Sequence, residues 1–199
     1  DLIAYEIRLQ QAMEENLLCP FHYFGITDLR IDGVVVDDKT DFNFLVSDRR
    51  VDYVIQQAEY YGFSGDRVKG LVFCRTKDEA DEFSGKFSER GYRTVALTGN
   101  NSQEQREDAI ERLVSDGRED YLDYIFTVDI FNEGVDIPEI NQVIMLRPTK
   151  SPIVFVQQLG RGLRKSQGKE YVVILDFIGN YENNFMIPIA LSGDRSYNK

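Results

Sequence analysis

The stretch GLVFCRTKDEADEFSGKFSERG, residues 70–91, decides the fold class of this chain. It opens with a short apolar run, 70–74, which is typical of a buried strand. Thr76 and Glu79 then match the S/T-x-x-E capping box that begins a helix. The apolar positions that follow recur at helical spacing: Ala80, Phe83 and Phe87. Gly91 is the predicted end of this helix.

The same strand-then-helix order repeats downstream. Further strands are predicted at 94–99, 121–129, 142–148 and 171–178. Ser102 and Gln105 form a second capping box with a stop at Gly117, and Pro152 begins a third helix after Ser151. Strands that alternate with helices predict an α/β fold, a parallel sheet with helices on both faces. In such sheets the working residues lie on loops that leave the carboxyl ends of the strands.

Residues 1–66 are strongly acidic, with 13 Asp and Glu against five Lys and Arg. We predict an acidic lead-in segment packed on the core, followed by the main domain over 67–199. A separate domain is less favoured because no flexible linker marks a boundary. The elements predicted in this segment are a helix at 4–16, strands at 18–26 and 30–36, and a helix at 49–62.

The charge and the missing motifs exclude several classes of function. A net charge of -11 argues against a protein that coats nucleic acid without sequence specificity. No G-x-x-x-x-G-K-[ST] motif is present, so the chain has no phosphate cradle of that kind. Cys19, Cys74 and His22 make neither a disulfide framework nor a metal site, and Cys74 is predicted to be a buried free thiol. A cytoplasmic protein is the default expectation.

The sequence DEAD at 78–81 has the same letters as a magnesium-binding motif, but its position in the chain does not fit that role. A magnesium-holding acid belongs at the tip of an apolar strand that faces bound phosphates. Here the acids are predicted to lie in the first turn of a helix, where they complement the helix dipole. We therefore interpret them as capping residues.

Two patterns point towards a phosphate-bearing ligand. From Arg147 to Lys169 there are six basic residues and no acid. Gln157, Arg161 and Arg164 are spaced i, i+4, i+7, so a helix presents them on one face, and arginine matches phosphate oxygens well. A solvated amphipathic helix is the plainer alternative. Gly134 and Asp136 follow the 121–129 strand and suit a ribose hydroxyl, although turns are rich in both residues.

Four segments together resemble motifs IV to VI of the second RecA-like domain of superfamily 2 helicases. They are GLVFCRTKDEA, VALTG, FTVDIFNEGVDIP and QQLGRGLRKSQGK, and the resemblance covers about 70–178. The wording NEGVDIP, with Gln157 in the last motif, is similar to DNA translocases of the type III restriction and excision-repair type. The resemblance implies a RecA-like parallel sheet.

The resemblance also implies roles for individual residues. Arg161 and Arg164 would be arginine fingers that stabilise charge on the γ-phosphate of ATP. Gly134, Asp136 and Gln157 would line the nucleotide side of the same cleft. The remaining positions would contact the nucleic-acid backbone without reading bases: Arg75, Thr76, Thr98, Gly99 and Thr127, or Val128 in place of Thr127.

We therefore expect the C-terminal half of an ATP-dependent motor, inactive without its other half. ATP and Mg²⁺ would be bound mainly by a first RecA-like domain of the same parent chain. Double-stranded DNA is the expected track, with RNA left open, and no membrane is involved. The alternatives are a non-catalytic α/β binding or scaffolding module with a helicase-like fold, and a small-molecule enzyme that uses the Gly134–Asp136 loop. The latter lacks a nucleophile or base.

Overall fold

The computed structural model describes residues 19–27, 30–31, 34–35, 42–128, 137–147 and 164–178. The strands in these ranges are β1 (Phe21–Thr27), β2 (Arg30–Ile31), β3 (Val34–Val35), β4 (Gly70–Phe73), β5 (Thr94–Leu97), β6 (Tyr124–Thr127), β7 (Gln142–Met145) and β8 (Val172–Ile178). The helices are α1 (Phe42–Leu45), α2 (Asp48–Tyr61), α3 (Lys77–Glu89) and α4 (Gln103–Val114). In the part of the chain that the structure describes, no helix is long and apolar enough to cross a membrane.

Six of the described strands form one sheet in the order β1-β8-β7-β4-β6-β5, and every neighbouring pair in it is parallel. β4 lies inside the sheet between β7 and β6, and all four of its residues are buried. A parallel strand covered on both faces needs apolar side chains in both directions, which explains the continuous run GLVF. The predicted α/β class and RecA-like parallel sheet are confirmed.

Helices cover both faces of this sheet. Val51, Val54 and Ala58 of α2 pack with Phe83 and Phe87 of α3 in a core on one face. Ala109 and Leu113 of α4 belong to a second core on the other face. β4 contributes alternate residues to the two cores, because successive side chains of a strand point to opposite faces. The predicted helices on both faces are therefore confirmed.

Two predicted helix starts, at Thr76 and Ser102, agree with the structure, but only the capping box at Ser102 is complete. Ser102 Oγ accepts from the Gln105 amide, and the Gln105 side chain accepts from the Ser102 amide, which completes a capping box. Thr76 Oγ1 accepts from the Glu79 amide at 3.1 Å. The acids of the DEAD letters do lie in the first turn of α3. Their interpretation as capping residues is incomplete, because Glu79 has further partners described below.

Helix ends agree less well with the sequence. α3 ends next to Gly91, whose φ of 92° is a left-handed conformation that favours glycine. Gly117 is not the cap of α4, so that prediction is wrong: α4 ends at Val114 with Ser115 in an extended conformation. No glycine is needed there, because Arg67 and Lys69 donate to the last carbonyls of the helix.

The acidic segment contributes directly to the fold. β1 pairs with β8 along its whole length, and α2 packs on the shared core. The Gln142 amide in β7 donates to Ala58 O and Gly62 O, which fastens the end of α2 to the sheet. The division between 1–66 and 67–199 stays a prediction, and the predicted helices at 4–16 and after Pro152 lie outside the described residues.

One predicted element of this segment is wrong. Instead of a single strand over 30–36, β2 and β3 are two short strands paired antiparallel with each other. The sequence between them is Asp32-Gly33, and Asp-Gly is a sequence signal for a β-hairpin. The prediction of one strand over 30–36 did not take this signal into account. The other predicted strands have the expected places with somewhat different ends.

Candidate nucleic-acid interface at the carboxyl edge

Four neighbouring strands end in register at one edge of the sheet. Phe73 at the end of β4 pairs with Thr127 of β6 and Met145 of β7, and Leu97 of β5 also pairs with Thr127. The loops that leave these strands therefore start side by side. We call this side of the molecule the carboxyl edge; it carries the loops that begin at Cys74, Thr98 and Val128, and the segment from Leu146.

The loop after β4 is held by one carboxylate. Glu79 Oε2 accepts from the Arg75 amide at 2.7 Å and lies 3.8 Å from Arg75 Nε. Thr76 is exposed, and its hydroxyl oxygen caps α3. The predicted contacts Arg75 and Thr76 thus stand at the N-terminus of α3, where the helix dipole favours anions.

Behind this loop is a buried arginine that sequence reasoning missed. Arg50 Nη1 donates to Glu79 Oε1 at 3.2 Å and to Leu45 O at 2.8 Å. The Arg50 and Glu79 side chains are each 1% exposed. The signal available in the sequence was weak: Arg50 lies next to Val51, at the start of the apolar face of α2, where a solvated arginine is not expected.

The loop after β5 lies beside the first. Thr98 N donates to Asn101 Oδ1 at 2.7 Å, and Gly99 is exposed, with nothing within 4 Å of a Cβ added to it. Lys77 Nζ donates to Asn100 Oδ1 at 3.3 Å, which joins the two loops. The structure thus brings together four of the predicted nucleic-acid contacts: Arg75, Thr76, Thr98 and Gly99.

Thr127 is placed differently. It ends β6 at the same edge, but its side chain is fully buried, and its hydroxyl has no hydrogen-bond partner. Val128 is half-buried and packs against the core on the α2–α3 face. Neither side chain presents a polar group to solvent in this conformation, so a contact from Thr127 or Val128 to nucleic acid stays a prediction.

The predicted nucleotide side is described only at Arg164, which is exposed beside the exposed Lys165. Gly134, Asp136, Gln157 and Arg161 lie outside the described residues, so their roles stay predictions. Among the described residues, no cluster of three His, Cys, Asp or Glu side chains is arranged to hold a metal ion.

Two buried titratable groups lie near the ends of strands at this edge. Cys74 is a buried free thiol, as predicted, and burial raises its pKa well above the usual range. Burial also raises the pKa of Asp176 in β8 to about 6, and the Tyr23 hydroxyl donates to this carboxyl group at 2.5 Å. The Tyr23–Asp176 pair joins β1 to β8 and was not foreseen from the sequence.

This chain has relatives among known proteins. The chain is 26% identical over 205 residues to the "Putative ATP-dependent helicase IRC3" of Saccharomyces cerevisiae, covering 98% of the chain and 29% of that protein. A 51.5 kDa protein of a Lactococcus phage is 23% identical over 174 residues, covering 87% of the chain and 37% of the relative. The chain thus spans about a third of the length of these relatives.

Solved structures show the same fold. The type ISP restriction-modification enzyme LlaBIII bound to DNA has a TM-score of 0.65 at 19% identity, covering 92% of this chain and 14% of that one. The C-terminal domain of the DEAD-box protein Dbp5 has a TM-score of 0.56 at 19% identity. The match covers 89% of this chain and 86% of the Dbp5 chain. The family model of the helicase conserved C-terminal domain matches residues 51–166, more than half of the chain. This chain therefore belongs to the helicase conserved C-terminal domain family.

Proposed function

We propose that this chain is the C-terminal motor domain of an ATP-dependent DNA helicase or translocase, of the restriction and excision-repair type. It supplies part of the groove for the nucleic-acid backbone and the arginine fingers for ATP hydrolysis. The first RecA-like domain of the same parent protein supplies the rest of the ATP site. We further propose a cytoplasmic location.

The observation that carries the proposal is the convergence of two helix N-termini at the carboxyl edge. α3 and α4 both begin there, next to Arg75, Thr76, Thr98 and Gly99, and the Lys77–Asn100 hydrogen bond holds the two loops together. Helix N-termini and small hydroxyls are suited to phosphate groups, and such contacts position a nucleic acid without reading its bases.

The proposed ATP-site residues are assigned from the resemblance of the motif sequences. Arg161 and Arg164 would stabilise charge on the γ-phosphate, while Gly134, Asp136 and Gln157 contact the nucleotide. Arg164 is exposed and cationic, which fits contact with a polyphosphate across a cleft. The proposal assigns Mg²⁺ to the first RecA-like domain, as the resemblance implies.

DNA is the proposed track because the wording NEGVDIP and Gln157 resemble DNA translocases more than RNA helicases of the DEAD-box type. One of the solved structures with the same fold is bound to DNA, although a likeness at 19% identity carries the fold alone. We therefore propose double-stranded DNA as the substrate and make RNA an outcome of the test.

The test measures ATP hydrolysis by the full-length protein that contains this chain, with no nucleic acid, duplex DNA, single-stranded DNA or RNA. Duplex DNA should stimulate hydrolysis most. Arg75→Ala should raise the DNA concentration for half-maximal stimulation about tenfold, since one phosphate contact is lost. Arg118→Ala is the matched control, because Arg118 lies in the loop before β6 at the opposite edge and pairs there with Asp120.

The outcomes separate the alternatives. Stimulation by RNA alone would contradict the DNA assignment and keep the motor. Hydrolysis that no nucleic acid stimulates would contradict the motor and favour a non-catalytic binding module. Equal effects of Arg75→Ala and Arg118→Ala would remove Arg75 from the groove.

A further inference from the structure

A buried ion pair lies directly beneath the loop after β4. Arg50 Nη1 is 3.2 Å from Glu79 Oε1, and each side chain is 1% exposed. The Arg50 guanidinium also lies over the ring of Phe83, 5.5 Å from its centroid. Arg50 belongs to α2 and stands one residue before the range that the family model matches.

The ion pair connects α2 to a candidate nucleic-acid contact through a single carboxylate. One oxygen of Glu79 takes the hydrogen bond from Arg50. The other accepts from the Arg75 amide at 2.7 Å and lies 3.8 Å from Arg75 Nε. Arg50 itself is anchored to Leu45 O. The position of the Arg75 backbone therefore depends, through Glu79, on a residue in another helix.

Stability alone is a weak reason for this arrangement. Both side chains are withdrawn from solvent and Arg50 lies over the Phe83 ring, and taking two charges out of water is costly. A well-packed apolar pair of similar volume is often as stable as a buried ion pair. What an apolar pair lacks is an acceptor for the Arg75 amide.

We propose that Arg50 and Glu79 are positioning residues that hold the Arg75 loop in the geometry that binds the nucleic-acid backbone. This inference rests on the proposed function, because it concerns the affinity of the same groove. The pair acts through Arg75 and does not itself touch the ligand.

The test compares two double variants of the full-length protein that differ in one acceptor. Arg50→Met/Glu79→Leu removes both charges and the acceptor for the Arg75 amide. Arg50→Met/Glu79→Gln removes both charges but keeps an amide oxygen at the same position. The dissociation constant for a labelled DNA duplex is measured by fluorescence anisotropy, and folding is measured by thermal unfolding.

Arg50→Met/Glu79→Leu should still fold, because no unpaired charge is left buried. Its unfolding temperature should fall only by the cost of leaving Leu45 O and the Arg75 amide without these partners. Its dissociation constant for the duplex should rise about tenfold. Arg50→Met/Glu79→Gln should restore most of that affinity. The turnover number at saturating DNA should change little in either variant, since the groove has lost binding and not chemistry.

Arg67→Met is the control for a loss of stability without a loss of positioning. Arg67 is another multiply bonded arginine, but it donates to Leu113 O, Ser115 O and Leu122 O at the opposite edge. Its replacement should lower the unfolding temperature and leave the dissociation constant unchanged. A parallel rise in the Arg67→Met dissociation constant would mean that any destabilisation weakens binding, and it would overturn the proposal.

Hydrogen exchange at the Arg75 amide tests, without any ligand, whether Arg50 and Glu79 hold the Arg75 backbone. Exchange should be slow in the wild type and in Arg50→Met/Glu79→Gln, and fast in Arg50→Met/Glu79→Leu. Wild-type affinity in a folded Arg50→Met/Glu79→Leu variant, or a still protected Arg75 amide, would overturn the proposal. A wild-type protein that binds no nucleic acid would instead contradict the proposed function. The exchange measurement would still show whether Glu79 protects the Arg75 amide.

Discussion

The side-chain amide of Asn141 donates to the main-chain carbonyl of Ser64 over 2.7 Å, across 77 positions of the chain. The same nitrogen donates to Arg67 O at 2.8 Å, and Asn141 Oδ1 accepts from Lys69 N at 2.8 Å. One buried side chain thus satisfies three backbone groups of the connection between α2 and β4. The start of β4, and with it the strand that leads to the carboxyl edge, depends on this residue.

Replacing Asn141 with Leu should lower the free energy of unfolding by about 2–4 kcal/mol, because three hydrogen bonds of about 1 kcal/mol each are lost and backbone groups stay buried. Chemical denaturation measures the change. Gln56→Leu, at an exposed position of α2, should change the free energy of unfolding by less than about 0.5 kcal/mol. Equal values for the two variants would contradict the role of Asn141.

Two glycines should respond to alanine in opposite directions. A Cβ at Gly70 would overlap the ring of the buried Tyr124, so Gly70→Ala should cost about 1–3 kcal/mol of stability. Gly85 lies inside α3 with nothing within 4 Å of an added Cβ, so Gly85→Ala should add about 0.5–1 kcal/mol. Thermal unfolding compares them, and a stabilising Gly70→Ala would be inconsistent with the packing of β4 against β6.

Asp176 should make the protein less stable as the pH rises. Its pKa is about 6 in the folded chain, above its usual 3.8, because burial disfavours the charged form. The folded chain therefore binds this proton more tightly, and the free energy of unfolding should fall between about pH 4 and about pH 6, by at most ~3 kcal/mol.

Asp176→Asn should remove this contribution, so the difference between variant and wild type across the pH range isolates it from the other carboxylates. Tyr23→Phe should raise the pKa of Asp176 further, because the Tyr23 hydroxyl stabilises the carboxylate. Chemical denaturation from pH 4 to pH 8 provides the measurement. Parallel wild-type and Asp176→Asn curves would refute the prediction.

Arg161→Ala or Arg164→Ala in the full-length protein should lower the turnover number for ATP about 10³-fold or more, while nucleotide binding largely survives, because an arginine finger acts on charge in the transition state. Lys165→Ala is a matched control, since Lys165 is an exposed neighbouring cation with no assigned role. Turnover that persists in both arginine variants would withdraw the finger assignment.

The sequence predicted the local elements well where pattern and capping agreed. The run 70–73, the cap at Thr76 and the left-handed Gly91 define β4 and α3 as expected. These features depend on neighbours within one or two turns of the chain, so a single sequence contains their physical cause.

The sequence did not predict the contacts that hold the candidate site. Arg50 meets Glu79 across 29 positions, Asn141 meets Ser64 across 77, and Tyr23 meets Asp176 across 153. The predicted end of α4 at Gly117 was wrong for the same reason. The side chains of Arg67 and Lys69 donate hydrogen bonds to the last carbonyl groups of α4, and both residues lie far away in the sequence. Such partners are decided by the sheet order, which local patterns do not encode.

The sequence by itself determined the strand–helix alternation, the capped helix starts and the family motifs, because each arises from residues close together in the chain. The strand–helix alternation already predicts that the loops of Arg75 and Thr98 lie at one edge of the sheet. Only the tertiary structure decided that β4, β5, β6 and β7 end in register there, and that Lys77 joins the two loops by its hydrogen bond to Asn100. It also decided that Arg50, rather than solvent, neutralises Glu79. Burial of the sheet between two helical layers favours these long-range pairs, since a polar group taken out of water without a partner costs free energy and the fold decides which partners lie near it.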